Sequence, residues 1–202
     1  MDKENLELRL YGFVPYNISP IQAGIQFSHS LVEYSQLYYN DDNYQDWAKN
    51  WKTVIILNGG TSETMKLHLE SLKSAGIKQS SFNEPDLNDM LTGITFIVDE
   101  RVFNKEKYPD FLKFVENRAP SWFYNKNSKI DIGYENNELF KTSINNLLIN
   151  PFYPIYNIEF FKYNRIKKSE INLMWNDWIN YIGGVQNVFL RKFLEKFKLA
   201  SN

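Results

Sequence analysis

The chain has 202 residues, 43% hydrophobic and 23% charged, enough apolar content to bury a core in one or two domains, which excludes disorder as its main state. No apolar run approaches the ~18 residues of a membrane span, and MDKENLELRL is not a secretory signal, so neither is expected and the expected location is cytoplasmic. Cysteine is absent, which removes disulfides, thiolate catalysis and cysteine-held metal, while the formal charge of -1 conceals -6 over residues 1–110 and +5 over residues 111–202.

Residues 7–15 alternate loosely between apolar and polar and predict a first strand ending near Pro15. Asn17 or Ser19 caps a helix over Pro20 to Tyr38, with the proline in its first turn. Ile21, Ile25, Ser28, Val32 and Ser35 follow a helical period, so this stripe is expected to pack, with Gly24 and Ser28 letting the helix lie close to a sheet. Beside it, Gln22, Gln26, His29 and Glu33 fall within about 60° of one another on the helical wheel, a polar stripe that lines a groove or faces solvent. His29 is the acid-base candidate of that stripe, because imidazole alone titrates unperturbed near neutral pH.

Trp47 and Trp51 are expected to cover an edge of the core, and WKTVIILNGG reads as a buried central strand ending at a glycine pair. Thr61 or Ser62 caps the next helix, which carries Met65, His68, Leu69 and Leu72 on one face and stops at Gly76. The glycine pair lacks the pattern of a phosphate loop and reads as a tight strand-to-helix turn. His68, on the packed face, reads as a core or boundary histidine. The two histidines lie 39 residues apart without a metal-ligand frame, so no structural zinc is expected, and nothing calls for a cofactor. Residues 78–83 and 92–99 read as strands flanking the acidic turn EPDLNDM.

This order predicts an α/β domain over residues 1–104, a small mixed β-sheet with helices packed on its faces, followed by a mainly helical, aromatic-rich extension over residues 105–202. In the extension, residues 105–118 predict an amphipathic helix, LFKTSINNLLI reads as helix, and FYPIYNIEFFKY as strand, loop or packing arm. Ile171, Met174, Trp175, Trp178, Ile179 and Ile182 mark a one-faced helix from Ser169. After Gly183-Gly184 a basic amphipathic helix is expected to reach Ala200, making a helical hairpin that packs on the first domain or on a second copy, a homodimer. Arg165, Lys167, Lys168, Arg191, Lys192 and Lys196 form the densest positive region, interleaved with Phe161 and Tyr163, a composition suited to RNA phosphates and bases and equally to a solvated helix face.

YNISPIQAGIQFSHSLVEY, and within it Gln26, Phe27, Ser28, His29 and Ser30, resembles the strand-turn-helix segment of the archaeal and eukaryotic peptidyl-tRNA hydrolases, the peptidyl-tRNA hydrolase 2 family. The similarity continues through the strand at 52–58, the helix ending in Ala75-Gly76-Ile77 and the acidic turn, over roughly residues 8–100. It implies the family's fold and a groove beside the first helix, with Gln26, His29, Glu84, Asp86 and Asn88 as site residues and tRNA or other RNA as partner. Glu84 matches the family's aspartate, and Asp86 replaces it if the register shifts by two. Where the family carries lysines in the turn before the helix, this chain has Pro20 and Gln22, and no lysine stands between Lys3 and Lys49. The expectation is therefore a peptidyl-tRNA hydrolase-like, RNA-interacting protein with altered or lost ester hydrolysis. The alternative is a noncatalytic protein-interaction or accessory factor, virus-encoded among the options, with no membrane partner.

Overall fold

Period-two alternation in β1 (Leu8–Val14) sends its even and odd residues to opposite faces, and both faces are buried. That strand lies inside a four-stranded mixed sheet of order β2-β1-β4-β3, where β2 is Thr53–Asn58, β3 is Gln79–Glu84 and β4 is Met90–Asp99. The β1 and β2 strands run parallel, while β4 is antiparallel to both β1 and β3. A computed structural model supplies this description for residues 6–118 and 168–200. It is an α/β fold with helices on both sheet faces and helices in the C-terminal region.

Helix α1 (Pro20–Tyr38) starts at a capping box: the Ser19 hydroxyl accepts from the Gln22 amide, and the Gln22 side chain accepts from the Ser19 amide. The face that packs is not the one expected. Gln26, Phe27, Ser30 and Tyr34 are buried, while Ile21 is 78% and Val32 52% exposed, with Ile25 and Tyr39 exposed beside them. The apolar stripe therefore points away from the sheet. Close approach comes from glycines of the sheet: a methyl added at Gly12 would run into the Phe27 ring, and one added at Gly93 would lie 2.6 Å from the Gln26 carbonyl oxygen. Gly24 has open space around it. Because the backbones come this near, the space left for side chains suits hydroxyls: Ser30 and Thr95 share a 2.7 Å hydrogen bond, and Ser80 donates to the Ser30 carbonyl at 2.6 Å.

Behind α1, Leu8, Leu10 and Val14 cluster with Phe27 and Trp47, whose indole N–H donates to the Thr53 carbonyl. The connection to β2 runs through α2 (Asp42–Asp46), capped by Asp41, and a π-helical turn over Trp47–Trp51. Thr61 caps α3 (Ser62–Ser74), and Gly76 takes positive φ behind its last turn. The sheet face carrying Phe13 and Phe96 meets His68 of α3 and the rings of Phe193 and Phe197.

Helix α4 (Glu100–Phe103) follows β4, and the chain divides into two compact units, Met1–Phe103 with Phe193–Asn202, and Asn104–Lys192. The second contains α5 (Phe111–Arg118), which begins six residues later than the periodicity suggests, and α6 (Lys168–Tyr181). Phe111 stacks edge-on to Trp175 and Trp178, and the Trp178 N–H donates to the Pro109 carbonyl. Gly183 and Gly184, both at positive φ, separate α6 from α7 (Val185–Leu194). The last helix was expected to continue to Ala200 but stops at Leu194. Beyond it, Asn58 donates to the Lys198 carbonyl and Ala200 to the Ile56 carbonyl, so the tail pairs with the outer edge of β2 and satisfies groups that a helix would leave open. The stretches expected as LFKTSINNLLI helix and FYPIYNIEFFKY arm lie outside the described residues. Among the described residues, no helix is long and apolar enough to cross a membrane.

Candidate functional site

Alternation along β3 brings Ser80, Phe82 and Glu84 to the face under α1, while Gln26 and His29, three residues apart, sit nearly in line on the helix. Three of the expected site residues meet there. The Gln26 Nε2 donates to Glu84 Oε2 at 2.5 Å, and His29 Nδ1 stands 3.9 Å from the same oxygen. The His29 ring leans on Phe82 with centroids 4.5 Å apart. Its Nδ1 is buried and has no hydrogen-bond partner among the described residues, yet the side chain as a whole is 42% exposed, so part of the ring faces solvent. Glu84 is recessed at 14%.

A fourth residue completes the arrangement. Thr92, fully buried, donates to Gln26 Oε1 at 2.6 Å, leaving the amide's N–H groups to Glu84. The order Thr92, Gln26, Glu84, His29 thus runs from core to surface, with hydrogen bonds joining the first three and His29 standing 3.9 Å beyond the carboxylate. A carboxylate behind one imidazole nitrogen favours the tautomer with the proton on that nitrogen and leaves the other as a base toward solvent. A movement under about 1 Å brings Nδ1 into direct bonding range of Glu84.

The other expected residues fall elsewhere. Asp86 lies in the 3-10 turn over Pro85–Leu87, and Asn88 follows in the left-handed region at φ 53°; both are exposed. Arg191 is a correction: expected on a phosphate-binding surface, it is 3% exposed and donates to Asp110 at 2.9 Å and to the Tyr108 carbonyl. Burial pushes the Asp110 carboxyl up, but the charges of Lys105 and Arg191 outweigh it and hold the group below the usual carboxylate range. Lys192 is half-buried and Lys196 exposed; Arg165, Lys167 and the Lys168 side chain lie outside the described residues. At the glycine pair, the α3 N-terminus is already occupied: Thr61 caps it, and its own amide together with the Thr61 hydroxyl lowers the Glu63 carboxyl. Among the described residues no group of three or more histidines and carboxylates could hold a metal ion.

Thr92 and Phe82 are the site members that sequence reasoning missed. Both sit in strands, where nothing distinguishes a site threonine from the usual β-branched residue of a buried strand. No protein-family model matches the chain, and no curated protein matches it in sequence.

Proposed function

We propose that this cluster is a hydrolase-like acid-base site acting on an RNA-linked ester of the peptidyl-tRNA type, with catalysis altered from that of the family it resembles. The observation that carries the reading is the Glu84 carboxylate set between the Gln26 amide and the buried, partnerless His29 Nδ1. In this reading the exposed edge of His29 takes a proton from the attacking water and returns it to the leaving ribose hydroxyl. Glu84 orients the ring and offsets its positive charge, and Gln26 fixes the carboxylate. Imidazole replaces the missing turn lysines as the group nearest the reacting bond. Lys196 remains an exposed cation for phosphate.

Incubation with N-blocked aminoacyl-tRNA tests this. His29→Ala and Glu84→Gln are expected to lower turnover about a hundredfold or more, the usual worth of a positioned acid-base group. Turnover by the wild-type protein that both variants retain removes the reading, as does absence of both turnover and salt-sensitive tRNA binding.

A second reading, noncatalytic association with an apolar protein segment, draws on the exposed Ile21, Ile25, Val32 and Tyr39 stripe of α1. Ile25→Glu with Val32→Glu abolishes association on that reading and leaves hydrolysis intact on the first.

A further inference from the structure

Sheet pairing breaks register at one place: Phe82 pairs with Gly93, but the next residue, Asn83, pairs with Leu91, so Thr92 is an extra residue of β4 without a partner across the ladder. This is a β-bulge, a device that re-aims a side chain. Its consequence follows from alternation. Gly93 and Thr95 face α1, as their contacts with Gln26 and Ser30 show, and a regular strand would then turn residue 92 to the opposite face. The bulge reverses that and delivers the Thr92 hydroxyl to Gln26.

A threonine hydroxyl has one proton to give and can also accept, and a carboxamide has a donor end and an acceptor end. Two acceptors lie within reach of Thr92 Oγ1: Gln26 Oε1 at 2.6 Å and the Phe82 carbonyl at 3.4 Å. With Glu84 ionised, the consistent arrangement has Thr92 donating to Gln26 Oε1 and Gln26 Nε2 donating to Glu84. When Glu84 holds a proton, every member can reverse: Glu84 O–H donates to Gln26 Oε1, Gln26 turns and its Nε2 donates to Thr92 Oγ1, and Thr92 donates to the Phe82 carbonyl. We propose that Thr92, placed by the bulge, is a positioning residue that sets the sense of the Gln26 carboxamide, making Thr92-Gln26-Glu84 a two-way chain whose direction follows the charge on Glu84.

The inference deepens the acid-base reading of this site and rests on it for its purpose. In the forward sense Glu84 presents a charged oxygen to His29; in the reverse sense its oxygen is neutral and its proton points at Gln26. Among the described residues, the titratable group beside Glu84 is His29, from α1. β4 presents Met90, its neutral pairing partner, and the neutral Thr92, while Asp86 and Asp89 occupy the exposed turn.

The test needs no turnover, so failure of hydrolysis and failure of this proposal are separate results. In wild-type protein with 15N-labelled glutamine side chains, the Gln26 Nε2 resonances are expected to step with pH at the same midpoint as the Glu84 carboxyl carbon. Gln26 resonances that stay still while Glu84 titrates overturn the proposal, with no variant required. Thr92→Val keeps the shape and the strand preference but lacks the hydroxyl, and it is expected to shrink that step to the part that the charge of Glu84 itself imposes on Nε2. Thr92→Ser is expected to restore it. A step unchanged in Thr92→Val also overturns the proposal.

Discussion

Replacing Gly93 by alanine puts a methyl group 2.6 Å from the Gln26 carbonyl oxygen and 2.8 Å from both Cβ and Oγ of Ser30. The carbonyl and Cβ are fixed by the helix backbone, and Ser30 Oγ is held by the Phe27 carbonyl and Thr95, so α1 or β4 must move. Forced overpacking of this kind costs about 2–3 kcal/mol, a thirtyfold or larger fall in the folded-to-unfolded ratio. The matched substitution is Gly24→Ala, on α1 itself, where nothing among the described residues lies within 4 Å. There alanine only removes backbone freedom from the unfolded chain, and stability is expected to rise by about 0.5–1 kcal/mol. Urea unfolding followed by circular dichroism reads both: the Gly93→Ala midpoint falls by about 1 M, and the Gly24→Ala midpoint rises by a fraction of that. A neutral Gly93→Ala, or a Gly24→Ala variant that loses more than about 1 kcal/mol, refutes the orientation assigned to α1, because the second result is what a packed Gly24 gives.

His68 sits among the Phe13, Phe193 and Phe197 rings; burial first, and then the charge of Lys196, hold its imidazole below its ordinary value, partly offset by a hydrogen bond to the Gly59 backbone. The unfolded chain therefore takes the proton at higher pH than the folded one, and stability falls as pH drops below 6.5; His68→Phe is expected to flatten that part of the thermal unfolding profile relative to wild type. Arg191→Leu removes a buried cation from Asp110 and the Tyr108 carbonyl and is expected to cost about 2 kcal/mol in urea unfolding. Lys192→Ala with Lys196→Ala leaves stability within about 0.5 kcal/mol but weakens tRNA binding and shallows its salt dependence in a fluorescence titration. Asp41 accepts from the Asn43 and Tyr44 amides at the start of α2, so Asp41→Ala is expected to lower stability by about 1 kcal/mol.

The elements were legible where local signals agree with packing. Of the alternative caps, Ser19 and Thr61 are the ones used, and the strands expected at 52–58 and 92–99 form, the second starting two residues earlier at Met90. The orientation of α1 was not legible, because hydrophobic periodicity locates the apolar stripe without saying whether anything covers it. The helix instead buries Gln26 and Ser30 against Thr92, Thr95 and Ser80, hydroxyl partners that strands bring from remote positions. The polar stripe named Gln26 and His29 and the acidic turn named Glu84, three residues that the structure brings together. Thr92 needed the bulge, a two-against-one pairing that no residue type announces. Arg191 reads as one more cation of a basic helix, since only tertiary structure gives it Asp110 as a partner.

A double-mutant cycle on the hydrolysis of N-blocked aminoacyl-tRNA tests the site most directly. If Glu84 works through His29, the Glu84→Gln/His29→Ala double variant is no more than about twofold slower than the slower single variant, as expected of residues that act as a unit. Losses that multiply, or a double variant as active as wild type, contradict the account.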